Sequence, residues 1–420
     1  MRISTIRAVN RLTTRWAAPA TGAGERNTVF TAAGVWPLLA LLADGAGGPA
    51  RAEMEEALGL PAGEAAAAAR QLLAGLAAIG GLDVATGLWT RRGLSLEPAW
   101  TTALPEGSHG ELTGDPVPDQ AALDTWAARH TRGLVERMPV TVDGDTLLVL
   151  ASALALRLKW IRPFSDIPYT VHDGPWDGRP VVGLSRNTAL PHRVRVARTA
   201  GGPVTVLEVV GDRGVDVHLV LGEPDAAPGD VLRGGIDTVT RAVASTDGTA
   251  LPEGAPGPGL RVWTEPSPDR DPELRVQTVA FSVTGAHHNL LDHKEVFGLA
   301  TATDDRSGHF PGISEEPLAV KAARQSAGAT FTAEGFEAAA VTAFATAAGC
   351  GVMPRARYRA RRLLARFDRP FGFLAVHRTS RLVLAAGWVA EPLPYEPGPD
   401  LYDPYDEDED DEQDDEQDDE

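Results

Sequence analysis

"EGFEAAAVTAFATAAGCG", residues 334–351, decides how the rest of this chain is read. The stretch is too apolar for an ordinary solvated loop and too poor in bulky side chains for a good core strand. By propensity alone it reads as an alanine-rich helix. Val341, Thr342 and Thr346 are β-branched and weaken that reading. Just downstream lies "RARYRARRLLAR" (355–366), which is strongly basic. Two readings stay open: a plain helix, or a segment exposed at one time and buried at another.

Outward from this stretch, the chain has 420 residues, 43 % of them hydrophobic, enough for one large domain or two ordinary ones. The formal net charge is −19, but the last twenty residues, "LYDPYDEDEDDEQDDEQDDE", hold fourteen acids and no base. With those fourteen set aside from the −19, the rest carries about −5, so charge points to no nucleic-acid-binding face. The lone cysteine, Cys350, rules out an internal disulfide framework. No run of eighteen apolar residues exists, so no membrane-spanning helix is expected. "MRISTIRAVNRLTTRWAAPATG" (1–22) has no uninterrupted apolar run and reads as a first amphipathic helix, with Ile3, Ile6, Val9 or Asn10, and Leu12 near one face. No secretory signal is visible there, which sets the expected location as cytoplasmic, with the extracellular space as the alternative. The weight of Ala, Gly, Arg and Pro suggests a bacterial source.

The first third is helical in pattern: "VWPLLALLADGAG", "PARAEMEEALGL" with Pro49 in a first turn, and "AGEAAAAARQLLAGLAAIG". "LDVATGLWTRRG" alternates like a strand, and "DQAALDTWAARHTRGLVERM" is again amphipathic and helical. "DTLLVLASALALRLKW" (145–160) is long and apolar; periodicity fits a helix or a buried central strand. Later, "VRVARTAGGPVTVLEVVGDRGVDVHLVLGEP" reads as a three-strand meander, and "ARFDRPFGFLAVHRTSRLVLAAGWVAEP" as a hairpin turning near Thr379. Helices first and antiparallel strands later give an α+β class.

Four segments in order carry a family resemblance. "NTVFTAAGVWPLLALLADGAGGPARAEMEEALGL", "LALRLKWIRPF" with Lys159, Trp160, Pro163 and Phe164, "AEGFEAAAVTAF", and "RFDRPFGFLAVHRTSRLVLAAGWVAEP" are similar to serpin segments. The match runs over most of residues 3–393. The resemblance implies a single serpin domain over 1–395, with three β-sheets, about eight to nine helices and an exposed reactive-centre loop at about 334–362. Residues 396–420 are expected from their composition to form an acidic, disordered tail. It also implies inhibition of a serine-type endopeptidase: the protease cuts the loop, the loop's N-terminal arm enters the central sheet as a new strand, and the acyl-enzyme is trapped. The alternative is a non-inhibitory serpin-fold binding or storage protein.

Insertion imposes a chemistry on the hinge, Glu334 to Thr342. Strand side chains alternate faces, so every second residue must suit a packed interior. With Gly335 as the pivot, Phe336, Ala338, Ala340, Thr342, Phe344, Thr346 and Ala348 point inward, and Glu337, Ala339 and Val341 point outward. About fourteen inserted residues at roughly 3.3 Å each carry the cut end some 46 Å. The first inward position, usually Thr or Ser in inhibitory members, is Phe336, and overpacking there is expected to cost roughly 1–3 kcal/mol. Position 333, commonly Glu, is Ala333, and about ten extra residues precede "RFDRPF". The family's polar cluster beneath the opening sheet falls, residue by residue, on Thr31, Gly34, Ser152 and Gln325, without its Asn–His pair. Trp160 falls at the point of loop entry; on sequence alone it also reads as a core aromatic.

The arm length places the reactive bond at Gly349–Cys350, with Ala348 or Arg355 as alternatives. Small residues there suit an elastase- or subtilisin-like serine protease, with a cysteine protease as a second partner class. The arginines at 355, 357, 359, 361 and 362 offer trypsin-like cuts, and the acidic tail is a candidate screen for them. A monomer with no nucleic-acid or membrane partner is expected. No G-x-S-x-G, G-x-x-x-x-G-K-[ST] or H-E-x-x-H is present, so no enzyme activity is expected. His287, His288 and His293 lack the i, i+4 spacing of a helical metal pair, and no metal or cofactor is expected.

Overall fold

A computed structural model describes residues 1–133, 135–140, 142–143, 146–305, 308–336 and 356–396. The expected helical third forms where its punctuation falls. α1 (Ile3–Thr21) buries Ile6, Val9, Leu12 and Trp16, three or four residues apart. Ile3, expected on that face, is instead 69 % exposed, one turn outside the buried stripe. α2 (Ala32–Asp44) is capped by Thr31, whose hydroxyl accepts from Gly34 N, and all but its last residue is buried, which is the pattern of a core helix. α3 (Gly48–Leu58) starts with Pro49 in its first turn and ends at Gly59 in the left-handed region, φ 67°. α4 (Ala62–Ala77), α5 (Pro98–Ala103), α6 (Pro116–His130), α7 (Pro228–Val239) and α8 (Lys294–Phe297) complete eight α-helices among the described residues.

Three sheets accompany them. The first runs β1 (Thr28–Phe30), β20 (Val383–Val389), β19 (Phe371–His377), β10 (Val215–Leu221), β9 (Gly202–Val210), β8 (Val194–Thr199), β11 (Ser245–Asp247). It contains both the expected meander and the expected C-terminal hairpin. The second runs β12 (Gly254–Gly257), β13 (Leu260–Ser267), β18 (Tyr358–Arg366), β14 (Glu273–Val279), β7 (Pro180–Thr188), β6 (Ser165–Thr170).

The third is the large sheet: β3 (His109–Leu112), β2 (Leu82–Arg91), β4 (Leu148–Leu156), β16 (Val320–Phe331), β17 (Gly335–Phe336) and β5 (Leu158–Lys159), with β15 (Phe281–Asn289) on the far side of β16. β4 settles the helix-or-strand ambiguity: all nine residues are buried. Leu148, Leu150, Leu154 and Leu156 face the main core with α2. Val149, Ala151 and Ala153 face a smaller core under Leu123 and Ala127 of α6 and Val135, Met138 and Val140 beyond it. A strand covered on both faces reads as an unbroken apolar run, which is why alternation is missing from its sequence.

Candidate functional site

The site lies along the boundary between β4 and β16. These strands are parallel and paired from Ala322↔Val149 to Ala327↔Leu154. Above that the boundary opens. β16 turns back on itself through Thr332–Glu334, and β17 lies antiparallel between β16 and β5, with Phe336 opposite both Phe331 and Leu158. Gly335 and Phe336 of the expected hinge are therefore already in the sheet. Between the two zones, Gly328–Thr330 and Ala155–Arg157 face each other across the boundary without ladder pairing.

Each hinge residue has a local reason for its place. A Cβ on Gly335 would lie 2.1 Å from Leu158 O, so only glycine lets the chain enter there. Phe336 is 1 % exposed, and its ring centroid is 5.9 Å from that of Phe373 on β19. This corrects the expected overpacking: the ring occupies a formed apolar site. Glu334 O accepts from Trp160 N at 3.0 Å, Ala333 O from Phe164 N at 2.9 Å, and Thr332 O from Trp160 Nε1 at 2.9 Å. Trp160 is buried, bridges to Gly211, and lies 4.9 Å from the Phe331 ring. It is both a core aromatic and the wall of the hinge turn. Asp166, on β6, has its pKa raised by burial and by the negative charge of Glu334.

Lower in the boundary the four polar-cluster residues meet. Gln325 and Ser152 are register partners on β16 and β4. The Gln325 amide closes a reciprocal pair with Thr31: Thr31 N donates to Oε1 and Nε2 donates to Thr31 O, each at 2.8 Å. The Thr31 hydroxyl donates to Leu384 O at 2.6 Å. Ser152 Oγ is fully buried and has no hydrogen-bond partner among the described residues. Gly34 makes room for it, since a Cβ there would lie 2.6 Å from Ser152 Oγ. Gly34 and Ser152 are thus a matched pair, the small residue accommodating the hydroxyl opposite.

His288, considered in sequence only as a metal candidate, belongs to this cluster. It is the register partner of Gln325 on β15, and its Nε2 lies 3.0 Å from Val29 O. Burial lowers its pKa to about 4, with His293 and His287 acting in the same direction. Leu158, Phe331 and Phe373, which build the hinge pocket, carry no signal in sequence beyond being apolar. The far end of the expected loop also needs correction. Residues 358–362 belong to β18, in the interior of the second sheet. Arg361 donates to Gly248 O and Leu251 O. Arg362 is 9 % exposed and donates to Glu265 Oε1, Ser267 Oγ and Asp271 O. Neither is a free bait residue. Glu337, Ala338, Ala339, Ala340, Val341, Thr342, Ala348, Gly349, Cys350 and Arg355 lie outside the described residues.

A family model for serpins (serine protease inhibitors) matches residues 9–171 and 258–392. Serpin-Z2B and Serpin-Z2A of Oryza sativa subsp. japonica are 27 % identical over 412 and 416 residues, spanning 89 % and 88 % of this chain and 93 % and 92 % of theirs. These relatives are plant proteins and lend no support to the compositional reading of a bacterial source. Human thyroxine-binding globulin, solved with thyroxine, superposes with a TM-score of 0.68 at 16 % identity, covering 93 % of this chain and 98 % of that one. Protease nexin-1, solved with heparin, gives 0.68 at 14 % identity, covering 93 % and 99 %. At such identities these likenesses speak for the fold alone.

Proposed function

This chain belongs to the serpin family, and we propose that it inhibits a serine protease by loop cleavage, insertion between β4 and β16, and covalent trapping. The observation that carries the reading is the register of β17. Phe336 lies opposite Phe331 and Leu158. Six further residues in the same antiparallel register bring Thr342 opposite Gln325 on one side and Ser152 on the other. The two strands give the same answer independently, because Gln325 and Ser152 already face each other. Insertion of Thr342 offers the unpartnered Ser152 hydroxyl a hydrogen-bond partner. The inward positions before it, Ala338 and Ala340, would come between Leu156 and Ala329 and between Leu154 and Ala327, all four buried, where a small side chain avoids overpacking.

In this reading the protease serine adds to the Gly349 carbonyl carbon. The Gly349–Cys350 bond breaks, the Cys350 amine leaves with a proton, and an ester joins the serine to Gly349. Insertion then carries that ester away before water attacks it. Elastase- or subtilisin-like enzymes suit the small residues around the bond. The aromatic hinge favours a second reading: a serpin-fold binding protein whose loop is cut without trapping, because Phe336 commits the first turn to the sheet before any protease arrives. The test is incubation with elastase, subtilisin and trypsin, followed by denaturing electrophoresis and mass mapping. A complex resistant to denaturant and joined at Gly349 is expected with elastase or subtilisin. Complete cleavage with no complex from any of the three would leave the second reading.

A further inference from the structure

A cavity of about 880 Å³ opens between the first and second sheets, away from the β4–β16 boundary. Its volume lies in the range of pockets that hold drug-sized ligands, roughly 300–1,000 Å³. Pro175, Pro224, Pro256 and Pro258 wall it, with Trp388 behind. Trp388 spends its Nε1 on Gly24 O, so it offers the cavity only its ring. Two of the four lining arginines are engaged: Arg366 with Asp368 and Gln277, and Arg369 with Gly222 O and beside Glu223. Arg198 and Arg261 are exposed at the rim, Arg261 with its guanidinium carbon 5.7 Å from the Trp263 ring centroid, and Asp173 is the acid left to oppose them. Rigid apolar walls with surplus guanidinium groups suit an aromatic, acidic peptide.

The chain supplies one. The described part ends at Glu396, and Tyr395 N donates to Pro180 O at the tip of the β6–β7 hairpin. Asp173, Gly174 and Pro175 of that same tip form the cavity rim. Beyond Glu396 the sequence reads "PGPDLYDPYDEDED" (397–410). Six steps from Glu396 to Tyr402 span up to about 20 Å, enough to round a hairpin tip. In a polyproline II segment, with three residues per turn, Tyr402 and Tyr405 share one face. We propose that Tyr402–Asp406 docks in this cavity in cis, the tyrosine rings against the proline walls and Trp388, and Asp403 and Asp406 toward Arg198 and Arg261. The following acids then lie along the adjoining surface. This surface does not depend on the inhibitory reading.

The test is hydrogen–deuterium exchange of the full chain at about 0.01 M and 0.15 M salt, where the screening length falls from roughly 30 Å to about 8 Å. The wild type is compared with Tyr402→Ser/Tyr405→Ser and with Arg198→Glu/Arg261→Glu. Segments 222–226 and 254–261 are expected to exchange several-fold faster in both double variants than in the wild type at low salt, with part of the difference lost at 0.15 M. Equal exchange in the wild type and the tyrosine variant overturns the proposal. So does tail-dependent protection that falls on 3–21 or 357–361 instead. Protection that grows with protein concentration overturns docking in cis in favour of a second copy.

Discussion

Gln325 and Ser152 face each other across one boundary and obey opposite energetics. Gln325 satisfies two buried main-chain groups of Thr31. Gln325→Ala leaves both unpaired, at about 1–3 kcal/mol each, and is expected to lower the urea midpoint with an unchanged slope. Ser152→Ala removes only a hydroxyl that has no partner. It is expected to be neutral or stabilising in the uncut protein and destabilising in the cut one, where insertion would bring Thr342 opposite. A loss above about 1 kcal/mol in the uncut protein would mean that Ser152 is already bonded. His288 adds a pH term. Its folded pKa is about 4, below the usual 6.5, because burial disfavours the charged ring. His218, also desolvated, lies at about 4, with Glu208 and Asp216 opposing the shift. The unfolded chain therefore binds more protons between these values. Stability is full above about 6.5 and falls as pH drops toward 4. Thermal midpoints across that window measure the slope, and His288→Gln is expected to flatten it.

The two-residue strand β17 is decided by contacts, not by propensity. Gly335→Ala places a Cβ against the fixed carbonyl of Leu158, 2.1 Å away. Such a clash is expected to expel the hinge, expose Phe336 and free Trp160 from Thr332 and Glu334. The readouts are a shift in tryptophan emission and faster proteolysis near 336, with the midpoint lowered by no more than the hinge's seating is worth. Unchanged emission would show that the turn tolerates the side chain. This element also marks how far the sequence could be read. Alternation correctly turned Phe336 inward, and the α+β order, the meander and the final hairpin followed from turn residues and period. That Phe336 is seated before any cut depends on Phe373 and Leu158, partners remote in sequence that no local pattern reveals. β18 overlaps the expected loop at 358–362 because a run of arginines reads as solvated. Their charges are absorbed by Glu265, the Ser267 hydroxyl and main-chain carbonyls of Gly248, Leu251 and Asp271. β4 was ambiguous because two cores cover it and erase its period.

At the scale of the whole molecule, the β4–β16 boundary is a parallel pairing held where two antiparallel ones could stand. Parallel ladders are slightly weaker per residue, and a strand continuing β17 would replace one such ladder with a ladder on each side. Inserted in the register of β17, Glu337 to Thr346 would run from Thr330 to Lys321 on β16 and from Arg157 to Leu148 on the β4 side. About ten residues gaining roughly 1 kcal/mol each give on the order of 10 kcal/mol, reduced by the entropy of ordering them. The uncut chain cannot collect this while β18 holds the far end of the loop within the second sheet. Cleavage between Ala345 and Gly351 is therefore expected to raise the thermal midpoint by on the order of 10 °C or more. Ala340→Arg separates insertion from mere cutting. Its side chain enters the row between Leu154 and Ala327, both buried, and an unpaired charge there costs more than the new pairing returns. The variant should be cut at the wild-type rate and show no rise. A rise of equal size in the variant would mean that the cut arm does not run between these strands, and no rise in the wild type would leave trapping without its source of free energy.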